Sequence, residues 1–141
     1  MPTITTDVTI DAAPEDVRAV LSDLTATRFW LPGVVEVRVD GDVRIFRMAE
    51  GQEVHECIVE VSENRLRFEH VRVALPVRRS GGAFSVEPAA QGGSVVVLEL
   101  TFEPIDMALT DQLTSGIREA FAQSLQSLRT YAEDKTVWDA R

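Results

Sequence analysis

Hydrophobic and polar positions change period twice along this chain. Residues 3–10, TITTDVTI, alternate, with Ile4, Thr6, Val8 and Ile10 on one face, and predict a β-strand. In DAAPEDVRAVLSDL the spacing lengthens to three and four, and Val17, Val20, Leu21 and Leu24 make one apolar stripe. Pro14 suits the first helical turn, where its missing N–H is no loss, and Glu15 and Asp16 favour the positive helix end. TATRFWLPGV predicts a second short helix stopped before Pro32. Period two then returns, predicting strands at 34–40, 43–49, 53–61, 65–73, 79–87 and 94–103. Turns are expected at DGD (40–42), SEN (62–64) and AAQGG (89–93). From Leu109 the period is helical again, through Leu113, Ile117, Phe121, Leu125, Leu128 and Tyr131. That helix is about 36 Å long if 24 residues are helical. Asp106, Thr110 or Asp111 is placed to cap or charge its start, and Trp138 lies beyond it in an acidic tail, expected to fray over 134–141.

Six closely spaced strands in succession predict an antiparallel meander. One long helix covers one face of a sheet, but a twisted sheet of six or seven strands is much wider than a helix about 10–12 Å across. If the sheet curls around the helix, an unfilled gap remains between them, a natural ligand cavity.

Composition narrows the possibilities. With 141 residues the chain is expected to be a single domain with a core about 3–133. Its net charge of −9 lacks the basic footprint that nucleic acid or an anionic membrane surface requires. The lone Cys57 forms no internal bridge, no leader pattern is apparent in MPTITTDVTID, and no apolar run approaches the ~18 residues of a membrane span. A cytoplasmic protein is the expectation, as a monomer or as a homodimer through an edge strand. Two histidines and one cysteine make no metal-ligand set, and neither a phosphate-binding glycine loop nor a GxSxG elbow is present. No cofactor is expected.

The order and spacing of VTIDAAPEDVRAVLSDL, FWLPGVVEVRV, VHECIVEV and LPVRRSGGAFSVEP, closed by the long helix after FEP, resemble the START-type, birch-pollen-allergen-type superfamily, often labelled SRPBCC or polyketide cyclase/dehydrase and lipid transport. The resemblance covers roughly residues 3–133. It implies an α+β helix-grip fold: a curved antiparallel sheet of about seven strands wrapped around a long C-terminal α-helix, with two short helices after the first strand. It implies an apolar cavity, but no single chemistry.

The candidate chemistry centres on RLRFEHVRV, residues 65–73. Period two places Leu66, Phe68, His70 and Arg72 on one face, and that face turns polar at His70. A core ends there and a cavity wall begins, with Arg72 nearer the mouth. His70 is then an acid or base, an anchor for a ligand carbonyl or phenol, or a satisfied histidine at a strand end. Glu56 is open. One face of strand 53–61 carries Glu53, His55, Cys57, Val59 and Val61, the other Val54, Glu56, Ile58 and Glu60, and the pattern does not choose between them. The resemblance implies an inward Glu56 near His70 and Arg72. Glu99 is expected to point outward, opposite Val96, Leu98, Leu100 and Phe102. Arg47, Arg78 and Arg79 are mouth anchors for an anionic head group or solvated surface. Phe29 and Trp30 are expected at the cavity rim, with Ile58, Leu66, Phe68, Phe84, Ile117 and Phe121 around the cavity. Tyr131 is core, or places its hydroxyl in the cavity.

Three functions follow. The first is binding of a polyketide- or lipid-like molecule with cyclisation or dehydration of a poly-β-keto chain, using His70 with Arg72, Glu56 or Tyr131. The second is a carrier or sensor without catalysis. The third is an interaction protein whose cavity is closed by its phenylalanines and leucines.

Overall fold

The computed structural model describes residues 1–134, so the expectation about Trp138 and most of the tail lies outside the described residues. Strand β1 (Thr3–Ile10) leads into α1 (Pro14–Ser22) and a 3-10 helix over Leu24–Phe29. Six strands follow: β2 (Val34–Asp40), β3 (Val43–Met48), β4 (Glu53–Val61), β5 (Arg65–Arg72), β6 (Val77–Pro88) and β7 (Ser94–Pro104). After a 3-10 turn at Met107–Leu109 comes α2, Thr110–Glu133, 24 residues long. Asp106 accepts a hydrogen bond from the Ala108 N–H at 2.9 Å, so it caps that turn and not α2 directly.

The strands form one antiparallel sheet in the order β1-β7-β6-β5-β4-β3-β2. β2 to β7 are the expected meander, and β1 joins it beside β7, with Ile4 opposite Leu100 and Val8 opposite Val96. The DGD turn closes β2 on β3 with Gly41 at φ 63°, a conformation that glycine adopts without steric cost. Between β6 and β7 the chains approach so closely that a Cβ at Gly82 would lie 2.1 Å from the Glu99 carbonyl oxygen.

Alternation buries Ile4 and Ile10 of β1, Leu66 and Phe68 of β5, Phe84 and Val86 of β6, and Val96, Leu98, Leu100 and Phe102 of β7. Leu113, Ile117, Leu125, Leu128 and Ala132 of α2 close the same core. Burying a side chain such as Phe102 contributes ~1.5–3 kcal/mol. Glu99 points outward and is exposed, as expected.

Helix α2 lies along β1 and β7. At the far end of the sheet, Val34, Val37 and Phe46 form a separate small core with Leu31, Met48 and Val54 packed on it. The helix is too narrow to reach across to this second core, and the space between the two cores is the cavity described next.

Candidate ligand cavity

Both cores contribute walls to a cavity of about 290 Å³. Trp30, Phe68, Phe84, Leu98 and Phe121 come from the main core side, and Leu31, Phe46, Met48 and Val54 from the other. Trp30 is fixed from two sides: its ring meets Phe84 edge-on at 6.0 Å, and its carbonyl accepts a hydrogen bond from Ser127 of α2. A wider apolar cavity of about 490 Å³ lies under the first half of α2, lined by Leu75, Pro76, Leu100, Leu109, Leu113 and Ile117 among others. The two share His70, Ala120 and Phe121 as wall residues. Both fall near or within the range of small-molecule sites, ~300–1,000 Å³.

One side of the smaller cavity is polar, and cross-strand register makes it so. Arg44 of β3 stands opposite Glu56 of β4, which stands opposite His70 of β5. Arg44 Nη2 donates to Glu56 Oε1 at 2.8 Å, and His70 Nε2 lies 3.3 Å from Glu56 Oε2. Arg44 Nη1 donates to Thr27 Oγ1 at 3.0 Å, and the Thr27 hydroxyl donates to the Leu24 carbonyl at 2.7 Å. At the other end Ser80 Oγ lies 2.6 Å from His70 Nδ1. An ionised Glu56 only accepts, so His70 donates from Nε2, and Nδ1 shares its hydrogen bond with the Ser80 hydroxyl. Arg44 also lies over the Phe46 ring at 4.8 Å.

Arg44, Glu56 and Ser80 are all buried. Burial pushes the Glu56 carboxyl up, but the His70 hydrogen bond and the Arg44 charge outweigh it and hold the group below its ordinary value. Buried charges require such partners.

The sequence-derived candidates are only partly brought together. Glu56 faces inward beside His70, which resolves the open register. Arg72 does not join them. Glu56 pairs with His70 while the preceding His55 pairs with Arg72, so Val71 is an extra residue, a β-bulge. The bulge breaks the alternation and sends Arg72, exposed, to the outer face with His55. His55 there contacts Glu53 at 3.0 Å, and that hydrogen bond is the main cause holding the Glu53 carboxyl below its ordinary value.

Tyr131 is also away from His70. It stacks on Phe29 with ring centroids 6.2 Å apart, at a shallow depression near the end of α2. Phe29 is exposed there, a corrected placement for a rim residue. Leu66 is buried beside a small depression at α1, and Ile58 packs on the core opposite Phe68; neither lines the two cavities. Trp30, Phe68 and Phe84 line the smaller cavity, Ile117 the larger and Phe121 both. Arg47 pairs with Glu36 at 2.8 Å and Arg79 with Glu103 at 3.2 Å, both on the surface, and Arg78 is exposed.

Sequence reasoning missed Arg44, Thr27 and Ser80. A signal for Arg44 was present: it shares alternation with Phe46 and Met48, whose apolar side chains mark the inner face of β3. Ser80 likewise shares alternation with Phe84 and Val86 on the inner face of β6, whereas Thr27, in the 3-10 helix, carries no such mark. Among the described residues no group of three or more His, Cys, Asp or Glu is arranged to hold a metal ion, and no helix is long and apolar enough to cross a membrane.

A curved sheet closed by one long helix, with an internal cavity between them, defines a helix-grip domain of the START type. The chain belongs to the polyketide cyclase/dehydrase and lipid transport family, whose pattern it matches over residues 1–133. Its fold is similar to that of the protein XoxI from Bacillus cereus, with a TM-score of 0.87 at 18% identity, covering 96% of this chain and 99% of that one. A START superfamily protein from Mycobacterium smegmatis is similar with a TM-score of 0.73 at 16% identity, covering 91% and 97%. The di-domain ARO/CYC StfQ of the steffimycin biosynthetic pathway gives a TM-score of 0.76 at 13% identity, with 95% of this chain matching 51% of that one. The sequence matches no curated protein.

Proposed function

We propose that this protein binds a hydrophobic small molecule of polyketide or lipid type between α2 and the sheet, and holds it without transforming it, as a carrier or sensor. The carrying observation is that the polar groups of the cavity are committed to one another. Both His70 nitrogens and both Glu56 oxygens have protein partners. A general acid or base must instead offer its proton to the substrate within hydrogen-bond reach.

Family membership supports ligand binding of this kind. A second reading, cyclisation or dehydration of a poly-β-keto chain, is favoured by the position of His70 in the walls of both cavities. There it borders both spaces that a bound molecule could fill.

A thermal-shift panel of polycyclic phenols, poly-keto mimics and fatty acids tests both. A ligand at about 100 times its dissociation constant stabilises the fold by ~2.7 kcal/mol. The expected outcome is a saturable shift, with His70→Ala altering affinity and no turnover to lose. Cyclised product from a poly-keto mimic, abolished in His70→Ala, replaces the first reading with the second. No shift across the panel removes both.

A further inference from the structure

We propose that the free edge of β2 is a homodimer interface: a second copy of this chain pairs antiparallel with it, centred on Val37, and joins the two sheets into one. The proposal stands on the strand itself and is independent of what the cavity holds.

β2 ends the sheet on one side and β1 on the other. β1 lies against α2, and its single charged residue, Asp7, has no opposite charge in the strand to answer it in a self-pairing. The edge of β2 is more open. The 3-10 helix at Leu24–Phe29 packs on its inner side, where Thr27 meets Arg44, the cross-strand neighbour of Val39. Val35 is still 49% and Val39 41% exposed, and the Glu36 and Arg38 side chains stand in solvent between them.

Backbone direction decides which residues can pair. The Ile58 N–H donates to the Asp42 carbonyl at 2.7 Å, so Asp42 faces β4, and alternation turns Val43, Ile45 and Arg47 towards β2. Their partners Asp40, Arg38 and Glu36 are thereby committed to β3. Val37 and Val39 direct their N–H and C=O groups to the free edge, where no backbone partner is present among the described residues. An unpaired row of this kind is a template for another strand.

Charge then fixes the register. Two identical copies pair about a two-fold axis. An axis between two residues sets free backbone groups against committed ones. An axis on Glu36 or Arg38 sets that residue against itself, and like charges directly opposite are destabilising. An axis on Val35 falls in the bulge between Val34 and Glu36, and one on Val39 runs into the Gly41–Asp42 turn. An axis on Val37 sets Glu36 opposite Arg38 of the second copy, twice over. Glu36 already meets Arg47 at 2.8 Å, and Arg38 meets Glu53 at 3.3 Å. The new pairs join these into one row of alternating charge across both sheets.

Sedimentation equilibrium and amide hydrogen exchange on the unsubstituted chain come first. The expected result is a reversible dimer, with exchange at the Val37 and Val39 amides slowing as concentration rises. Glu36→Arg and Arg38→Glu should each weaken the dimer about tenfold, because each sets like charges opposite at two places. Mixed together, the two variants should dimerise with one another, since every charge pair across the mixed interface is again unlike. A monomer up to millimolar concentration, or exchange at Val37 and Val39 that ignores concentration, overturns the proposal. So does a dimer indifferent to both substitutions, or a mixture that associates no better than either variant alone. Denaturation midpoints check that both variants fold, and if either does not, the exchange measurement on the unsubstituted chain decides.

Discussion

At the scale of single residues, the decisive group is the Arg44–Glu56–His70 ladder. A buried ion pair is a weak source of net stability, because desolvation offsets much of the attraction, but removing one partner is severe. Arg44→Ala should therefore cost about 3–5 kcal/mol in urea denaturation, since Glu56 would remain buried with only His70 to answer it. Arg44→Met with Glu56→Leu should lose less than the sum of the two single changes, the signature of coupled groups. The ladder also predicts an acid limb. The Glu56 carboxyl is held below its ordinary value in the folded state. Its ionisation therefore contributes stability fully above the unfolded value of ~4.3, and that contribution is lost as pH falls through the lower folded value. Between about pH 6 and about pH 3 the urea midpoint of Glu56→Gln should fall less than that of the wild type. A parallel fall in the two proteins would refute the role assigned to Glu56.

At the scale of elements, the β-bulge at Val71 determines which side chains meet. Period-two reading of RLRFEHVRV places His70 with Leu66 and Phe68, as observed, but carries the alternation one residue too far to Arg72. Nothing in the composition of EHVR marks the extra residue, because a bulge is set by how β5 must bend against β4. The β6–β7 pairing is equally geometric. Gly82 stands opposite Leu100, and any side chain there meets backbone and not a flexible neighbour. Gly82→Ala should destabilise by at least about 1–3 kcal/mol, the scale of overpacking, read as a lowered chemical-denaturation midpoint. An unchanged midpoint would mean that the strands separate more easily than their register implies.

At the scale of the molecule, one helix serves two purposes along its length. Leu125 and Leu128 are sealed in the core, whereas Phe121 is only half-buried and walls both cavities. Leu128→Ala should cost about 2–5 kcal/mol by leaving a cavity in packed surroundings. Phe121→Ala should cost less, because its side chain already borders open space, but should change ligand affinity more. The two losses compared by denaturation, and the two affinities by calorimetry, test this division. Equal stability losses with unchanged affinity would place Phe121 in the core proper.

The sequence alone determined the order of elements, the antiparallel meander and the long closing helix. Each rests on local periodicity, in which a residue's environment is set by neighbours two, three or four positions away. It also marked His70, where an apolar face turns polar within one strand. The tertiary structure decided which polar groups meet. Arg44, Glu56, His70 and Ser80 lie on four different strands, and their contacts depend on register, on the bulge at Val71 and on the bend of the sheet. Tyr131 was assigned to the helix stripe correctly but lies ten residues beyond Phe121, far along α2, where it meets Phe29 instead of the cavity. Distances along a chain fix periodicity; only the packed sheet and helix fix which periodic faces share a space.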